Sequence, residues 1–245
     1  SSLATYALIS VGKYMRALLA AYQYLIMGTI GATFYVIGVG FLYSMTGTLN
    51  LADMASRLAG IENTRPVLAA LAFLTVGISL KLALFPLHVW LPNAYAFAPS
   101  LATAFLSATA TKVAVYLLLR YFFTVFGASV IFANLPVTEV FLLLSLAAMF
   151  GASIVAIFQE NAKRMLAYSS VAQIGYITLG IAIANQSGLT GGIVHLFNHA
   201  LMKGALFLAL GAVFYQIGTV KIDDLGGLGR KMPITMGTSC PAETG

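Results

Sequence analysis

The chain is a succession of long, continuously apolar runs joined by short polar connections, with no two-residue alternation inside the runs. That pattern predicts helices rather than barrel strands, because a lipid-facing strand alternates apolar and polar positions. A run of roughly 20 apolar residues is long enough to cross a bilayer as a helix. Six runs qualify, at residues 19–43, 66–92, 99–126, 140–158, 165–184 and 189–217, and a partial one ends near Ser10. The short stretch Leu51–Leu58 carries Asp53 and Arg57 and predicts a helix lying at the interface. The expected fold is therefore all-α, a polytopic transmembrane helix bundle. No low-complexity linker divides it, so residues 1–233 are expected to form one membrane domain. The tail at 234–245 loses hydrophobicity and ends in TSCPAETG, which reads as a truncation or scar.

Composition sharpens this picture. Hydrophobic residues make up 60% of the 245 and charged residues 8%, against about 25% charged in a soluble domain. So few charges cannot cover a water-facing surface. The net charge of +6 does not point to nucleic acid, because the basic residues are scattered through short loops. Lys13, Arg16, Lys163, Arg164, Lys221, Arg230 and Lys231 fall on one side of the expected bundle. Arg57, Arg65 and Arg120 fall on the other. Positive-inside bias makes the first side cytoplasmic, in the plasma (inner) membrane. The single Cys240 excludes an internal disulfide.

Against this background, a few ionisable groups lie where lipid should exclude them. The last run carries His195, His199 and Lys203 at four-residue spacing, which places them on one helix flank, with Asn198 beside them. Lys81 and Lys112 lie deep in two other runs. A central Lys costs roughly 2.5–3.5 kcal/mol on insertion scales, so such groups mark a wet path or a paired site. Pro86 follows Lys81 by five residues and is expected to break its helix, freeing carbonyls that are tolerated where they face protein or water. His88, seven residues from Lys81, should share nearly its face. These residues predict a proton path. The alternative for Lys81 is a purely structural bond to a helix-end carbonyl.

Other polar positions have blander readings. Thr103, Ser107 and Thr111 recur every four residues, and such hydroxyls often serve only close helix packing. Thr109 can share a face with Lys112. Ser169, Gln173 and Tyr176 form a polar line on the preceding run, facing either the same water or a neighbouring helix. Gly28, Gly31, Gly38 and Gly40 could make a close-packing face. Two His four residues apart can ligate zinc, but this run has no Asp, Glu or Cys to complete a site. Asp223 and Asp224 read as loop charges, and the glycines beside them lack a phosphate-loop pattern. No metal, cofactor or dinucleotide motif is expected, and redox chemistry would belong to another polypeptide.

The run KLALFPLHVWLPNAYAFAPS at 81–100 resembles the signature of the antiporter-like membrane subunits of respiratory complex I and of Mrp-type cation/proton antiporters. TGTLNLADM, TKVAVYLLLR, KRMLAYSSVAQIGY, HLFNHALMKGALFL and GGLGRKMP are similar to the same family in the same order, so the resemblance covers nearly the whole chain. It implies part of an inverted-repeat antiporter fold with broken helices and a proton path near the membrane midplane. Lys81 matches the lysine of the broken helix in the first repeat, and Lys112 the lysine of the next helix. His195, His199 and Lys203 match the polar stretch of a broken helix in the second repeat.

The implied partners are other membrane subunits, protons, Na⁺ or K⁺, and the lipid bilayer. FPLHVWLPNAY with AFAPS looks closer to the D-type proteins of Mrp antiporters, with complex I or a membrane hydrogenase as the alternative and a transport-inactive scaffold as a third reading. The family's glutamate partner for Lys81 would fall before Ser1, and its exit-side helix beyond Ile234. The chain is therefore expected to be an interior fragment that is not catalytic alone.

Overall fold

The computed structural model describes residues 2–11, 15–133 and 136–237. Among them the chain is helical, without strands: α1 Ser2–Ser10, α2 Met15–Thr46, α3 Leu51–Leu58, α4 Arg65–Leu82, α5 Trp90–Phe97, α6 Ser100–Leu119, α7 Ala128–Ala133, α8 Val137–Ile157, α9 Ala162–Ala182, α10 Gln186–Ile217, α11 Leu228–Lys231 and α12 Pro233–Gly237. Six helices are long and apolar enough to cross a membrane, counting α6 with its π-helical continuation Arg120–Val125. The short α1 ends where the partial run was expected to end. Of the expected tail, 234–237 falls within the helix Pro233–Gly237, and 238–245 lies outside the described residues.

Local sequence sets the helix ends. Asn50, Asn161 and Asn185 sit just before α3, α9 and α10, and each accepts a backbone N–H from the first turn. Within α3, Arg57 Nε donates to Asp53 Oδ1 at 2.9 Å, and Arg57 Nη1 donates to the Thr46 carbonyl that ends α2. The Arg57 guanidinium holds the Asp53 carboxyl below its ordinary range. Met54 and Leu58 are buried, so α3 lies with one apolar face against the π-helical turn.

The expected run 66–92 is two pieces. α4 stops at Leu82, and Ala83 turns left-handed with φ 60° and ψ 41°. The break thus falls three residues before Pro86, whose peptide bond with Phe85 is cis. The residue before a proline is pushed out of the helical region, so the chain must leave the helix upstream. Two of the carbonyls freed at α4's end are satisfied internally. Leu84 N–H donates to Ser79 O at 3.1 Å, and Trp90 Nε1 donates to Leu80 O at 2.9 Å.

Packing is closest where glycines face backbone. A Cβ at Gly77 of α4 would lie 2.7 Å from Tyr35 N and 2.8 Å from Gly31 O. At Gly38 it would meet Leu74 Cγ at 2.6 Å. The glycines of α2 therefore split: Gly31 and Gly38 seat α4 within the chain, whereas Gly40 faces open space. Gly77→Ala is expected to destabilise the bundle by about 1–3 kcal/mol through overpacking. Thermal denaturation of the detergent-solubilised protein would read this as a lower midpoint.

Two apolar clusters form the interior. One gathers Leu74, Ile78, Leu118, Phe122, Ile174 and Ile181. The other gathers Trp90, Tyr95, Leu106, Ala167, Val171 and Phe207. Along α6 the second ends by Ala110 and the first begins at Ala114; along α9 they meet between Ala172 and Ile174. Lys112 and Gln173 fall in that seam.

A candidate proton path in the seam between two apolar clusters

α10 runs unbroken from Gln186 to Ile217. This corrects the implied broken helix around His195, His199 and Lys203. The span has no proline to remove a donor, and its glycines do not interrupt the backbone ladder. Because the helix continues, the four-residue spacing holds and the three groups stay on one flank. His199 is 0% exposed and Lys203 3%, and His195 is half-buried. Asn198 is exposed, off that flank, so it does not belong to the line.

The α9 polar line meets this flank. Lys203 Nζ donates to Ser169 Oγ at 3.0 Å and to Leu166 O at 3.1 Å. His195 Nε2 lies 2.6 Å from Gln173 Oε1, so the ring donates there, and its edge faces Tyr176 with ring centroids 6.1 Å apart. The His195 and His199 rings are nearly parallel, at 7° and 6.2 Å between centroids. Both nitrogens of His199 are buried and have no hydrogen-bond partner among the described residues. The charges that bear on it are those of Lys112, Lys203 and His195.

Lys112 is half-buried on α6, which packs against α10, and its Nζ donates to the Ser107 carbonyl. Thr103, Ser107 and Thr111 beside it are buried, and the Thr103 and Ser107 hydroxyls donate to nearby carbonyls. They serve helix packing, the plainer of their two readings. Lys81 lines a cavity of about 480 Å³ between α2, α4 and α6, with Tyr24, Tyr35, Trp90 and Thr109. His88 is not among the residues lining it. Because the chain turns at Ala83, the helical spacing lapses, and the His88 ring instead stacks on Phe85 at 5.1 Å and meets the edge of Tyr168 on α9. Among the described residues no group of three His, Cys, Asp or Glu side chains could hold a metal ion.

Lys163, a loop charge by its place in the sequence, is instead a buried residue of the bundle. It is 5% exposed in the first turn of α9. Its Nζ donates to Ser100 Oγ at 3.0 Å and to Ala98 O at 3.4 Å, and lies 5.5 Å from the Phe214 ring centroid. It thereby ties the α5–α6 turn to α9 and α10. Adjacency to Arg164 hides this in the sequence, because a basic pair beside a span reads as an orientation signal. Lys163→Met is expected to cost about 1.5–3 kcal/mol, the worth of hydrogen bonds to a charged donor. Lys163→Arg should recover most of it, as measured by thermal denaturation of the detergent-solubilised protein.

The sequence profile of the family described as NADH:quinone oxidoreductase/Mrp antiporter, transmembrane, matches residues 1–239. The chain belongs to that family. It is 46% identical over 239 residues to the N subunit of the NADH-quinone oxidoreductase of Desulforudis audaxviator, covering 97% of this chain and 47% of that protein. It is 32% identical over 231 residues to the D subunit of the Na⁺/H⁺ antiporter of Alkalihalophilus pseudofirmus, covering 94% and 46%. Among solved structures, the Mrp complex from Dietzia sp. superposes with a TM-score of 0.85 at 30% identity, covering 95% of this chain and 43% of that one. The chain thus spans about half the length of the curated relatives it matches. Membership agrees with the six spanning helices and makes this a multi-pass membrane protein of antiporter-like type.

Proposed function

We propose that residues 1–233 form a proton-translocating membrane domain in which Lys81, Lys112, His199, His195 and Lys203 carry protons through the bundle interior, beside the helix break upstream of Pro86. The observation that carries this reading is His199. A fully buried ring with two uncommitted nitrogens, within the field of Lys112 and Lys203, is costly as mere structure, at about 1–3 kcal/mol for each unsatisfied group. The same ring can accept a proton on one nitrogen and release it from the other. Apolar clusters on either side of the seam would keep protons from leaking past it. We read the whole protein as one component of a multisubunit monovalent cation/proton antiporter, exchanging protons for Na⁺ or K⁺. It would lie in the plasma membrane, with the end bearing Arg16, Arg164 and Lys221 in the cytoplasm.

A second host is favoured by the 46% identity to an oxidoreductase component: a proton-pumping NADH:quinone oxidoreductase or a related complex. The experiment that separates them places the full-length parent complex in sealed vesicles with an internal pH dye. Proton movement that requires Na⁺ or K⁺ supports the antiporter; movement that requires electron donor and quinone supports the oxidoreductase. His199→Phe should stop either one. Coupled proton movement that survives this change would end the reading of His199 as a carrier.

A further inference from the structure

A second site lies away from the proton path, at the end of the bundle where α2 and α9 begin. Arg16 and Arg164 line one cavity of about 270 Å³ with Gln23, Asn93 and Phe97. Among the described residues no carboxylate lines it, and neither α2 nor α9 has an acidic residue in its first turn. Both arginines occupy first turns, where the helix dipole is positive and a cation is disfavoured unless an anion joins it. Arg164 Nε is buried and has no hydrogen-bond partner among the described residues. Asn93 Nδ2 donates to Gln23 Oε1 at 3.0 Å, which engages that oxygen and leaves the Gln23 NH₂ as a donor. Two forked guanidinium groups and an amide donor form a receptor for a phosphate-sized anion.

The adjoining surface selects the kind of anion. A groove of about 430 Å³ shares Arg16 and Leu19 with this cavity and continues along Tyr6, Met15, Leu18 and Tyr22. Met15, Leu18, Leu19 and Tyr22 are exposed apolar side chains on a helix long and apolar enough to cross a membrane. A free phosphate has no use for such a groove; a phosphate ester of diacylglycerol would fill both parts. We propose that Arg16 and Arg164 hold the headgroup phosphate of an anionic phospholipid whose acyl chain lies along Met15–Tyr22. A basic pocket between membrane helices matched to an acidic headgroup follows the same charge logic as other interfacial lipid sites. The lipid would bridge the start of α2 to α5 and α9 and so brace the near end of the bundle. Nothing in this site depends on whether the seam carries protons.

Photoactivatable phosphatidylglycerol, incubated with the full-length parent complex in neutral detergent and mapped by peptide mass spectrometry, tests the site. Labelling should concentrate on the peptide spanning residues 15–22 and exceed that by a phosphatidylcholine probe. Arg16→Gln with Arg164→Gln should reduce it roughly 25-fold, from about a fivefold contribution per basic residue. Arg16→Lys with Arg164→Lys should retain most of it. Equal labelling by the two probes, or labelling indifferent to the glutamines, overturns the proposal. So does displacement of the probe by millimolar inorganic phosphate, which would assign the pocket to a free anion. Crosslinking of an acidic segment of a neighbouring protein in place of the probe would overturn it too. If the glutamine variant does not assemble, the comparison of probes on the unsubstituted complex decides alone.

Discussion

Replacing Lys81 with alanine in the full-length parent complex should cut coupled proton transport roughly 10²-fold or more, the lower range for loss of a positioned proton-transfer group. Lys81 lies one residue before the end of α4 and lines a cavity with Tyr24, Tyr35 and Thr109. That places its ammonium beside the one long interruption of a spanning helix among the described residues. Alanine keeps the helical propensity of the position and adds nothing that must be packed. Assembly, checked by size exclusion, should therefore persist. Transport is read as dye-reported acidification of sealed vesicles. Unchanged coupled transport would favour the scaffold reading, in which the lysine merely satisfies helix-end structure.

The second large effect is expected at Lys112. Methionine there keeps the stem length and the apolar contacts and removes only the charge. Lys112 is the lysine of α6 that bears on buried His199 of α10, the helix against which α6 packs. Without it, a proton leaving the α4 side has no basic side chain on α6 from which to reach the seam. Lys112→Met should slow vesicle acidification by roughly 10²-fold with the complex intact. Lys112→Arg should also fail, because a guanidinium keeps its proton across the accessible pH range. Recovery of transport by arginine would show that the charge matters and its release does not. Loss of assembly in both variants would make Lys112 a structural residue.

Much of this site is legible in the amino-acid sequence. Lys81, Lys112, His195, His199 and Lys203 stand out because a charge inside an apolar run is expensive in lipid, whatever surrounds it. Their neighbours are less legible. Ser169 and Gln173 do meet Lys203 and His195, as their helical spacing allows. His88 and Asn198 do not join the line, since one follows a turn that resets the helical phase and the other lies a quarter-turn off it. Lys163 gives no signal, because a lysine beside a span end looks alike whether it reaches water or folds back over Ser100 and Phe214.

The class of the protein follows from the order of its residues alone: spanning helices, their number, the short α3, the break near Pro86, the family and the candidate carriers. These rest on one-dimensional quantities, namely the length of apolar runs, the cost of charge in lipid, and the order of motifs. The folded chain was needed to learn that α4 ends at Leu82, that α6 passes into a π-helical turn at Arg120, and that α10 stays whole. It was needed again to learn that Gly31 and Gly38 face Gly77 and Leu74 rather than a partner. Those outcomes depend on which side chains meet across helices, and contacts between residues far apart in the chain leave no periodic trace along it. The buried, uncommitted ring of His199 and the paired arginines at the start of α2 and α9 belong to that second kind.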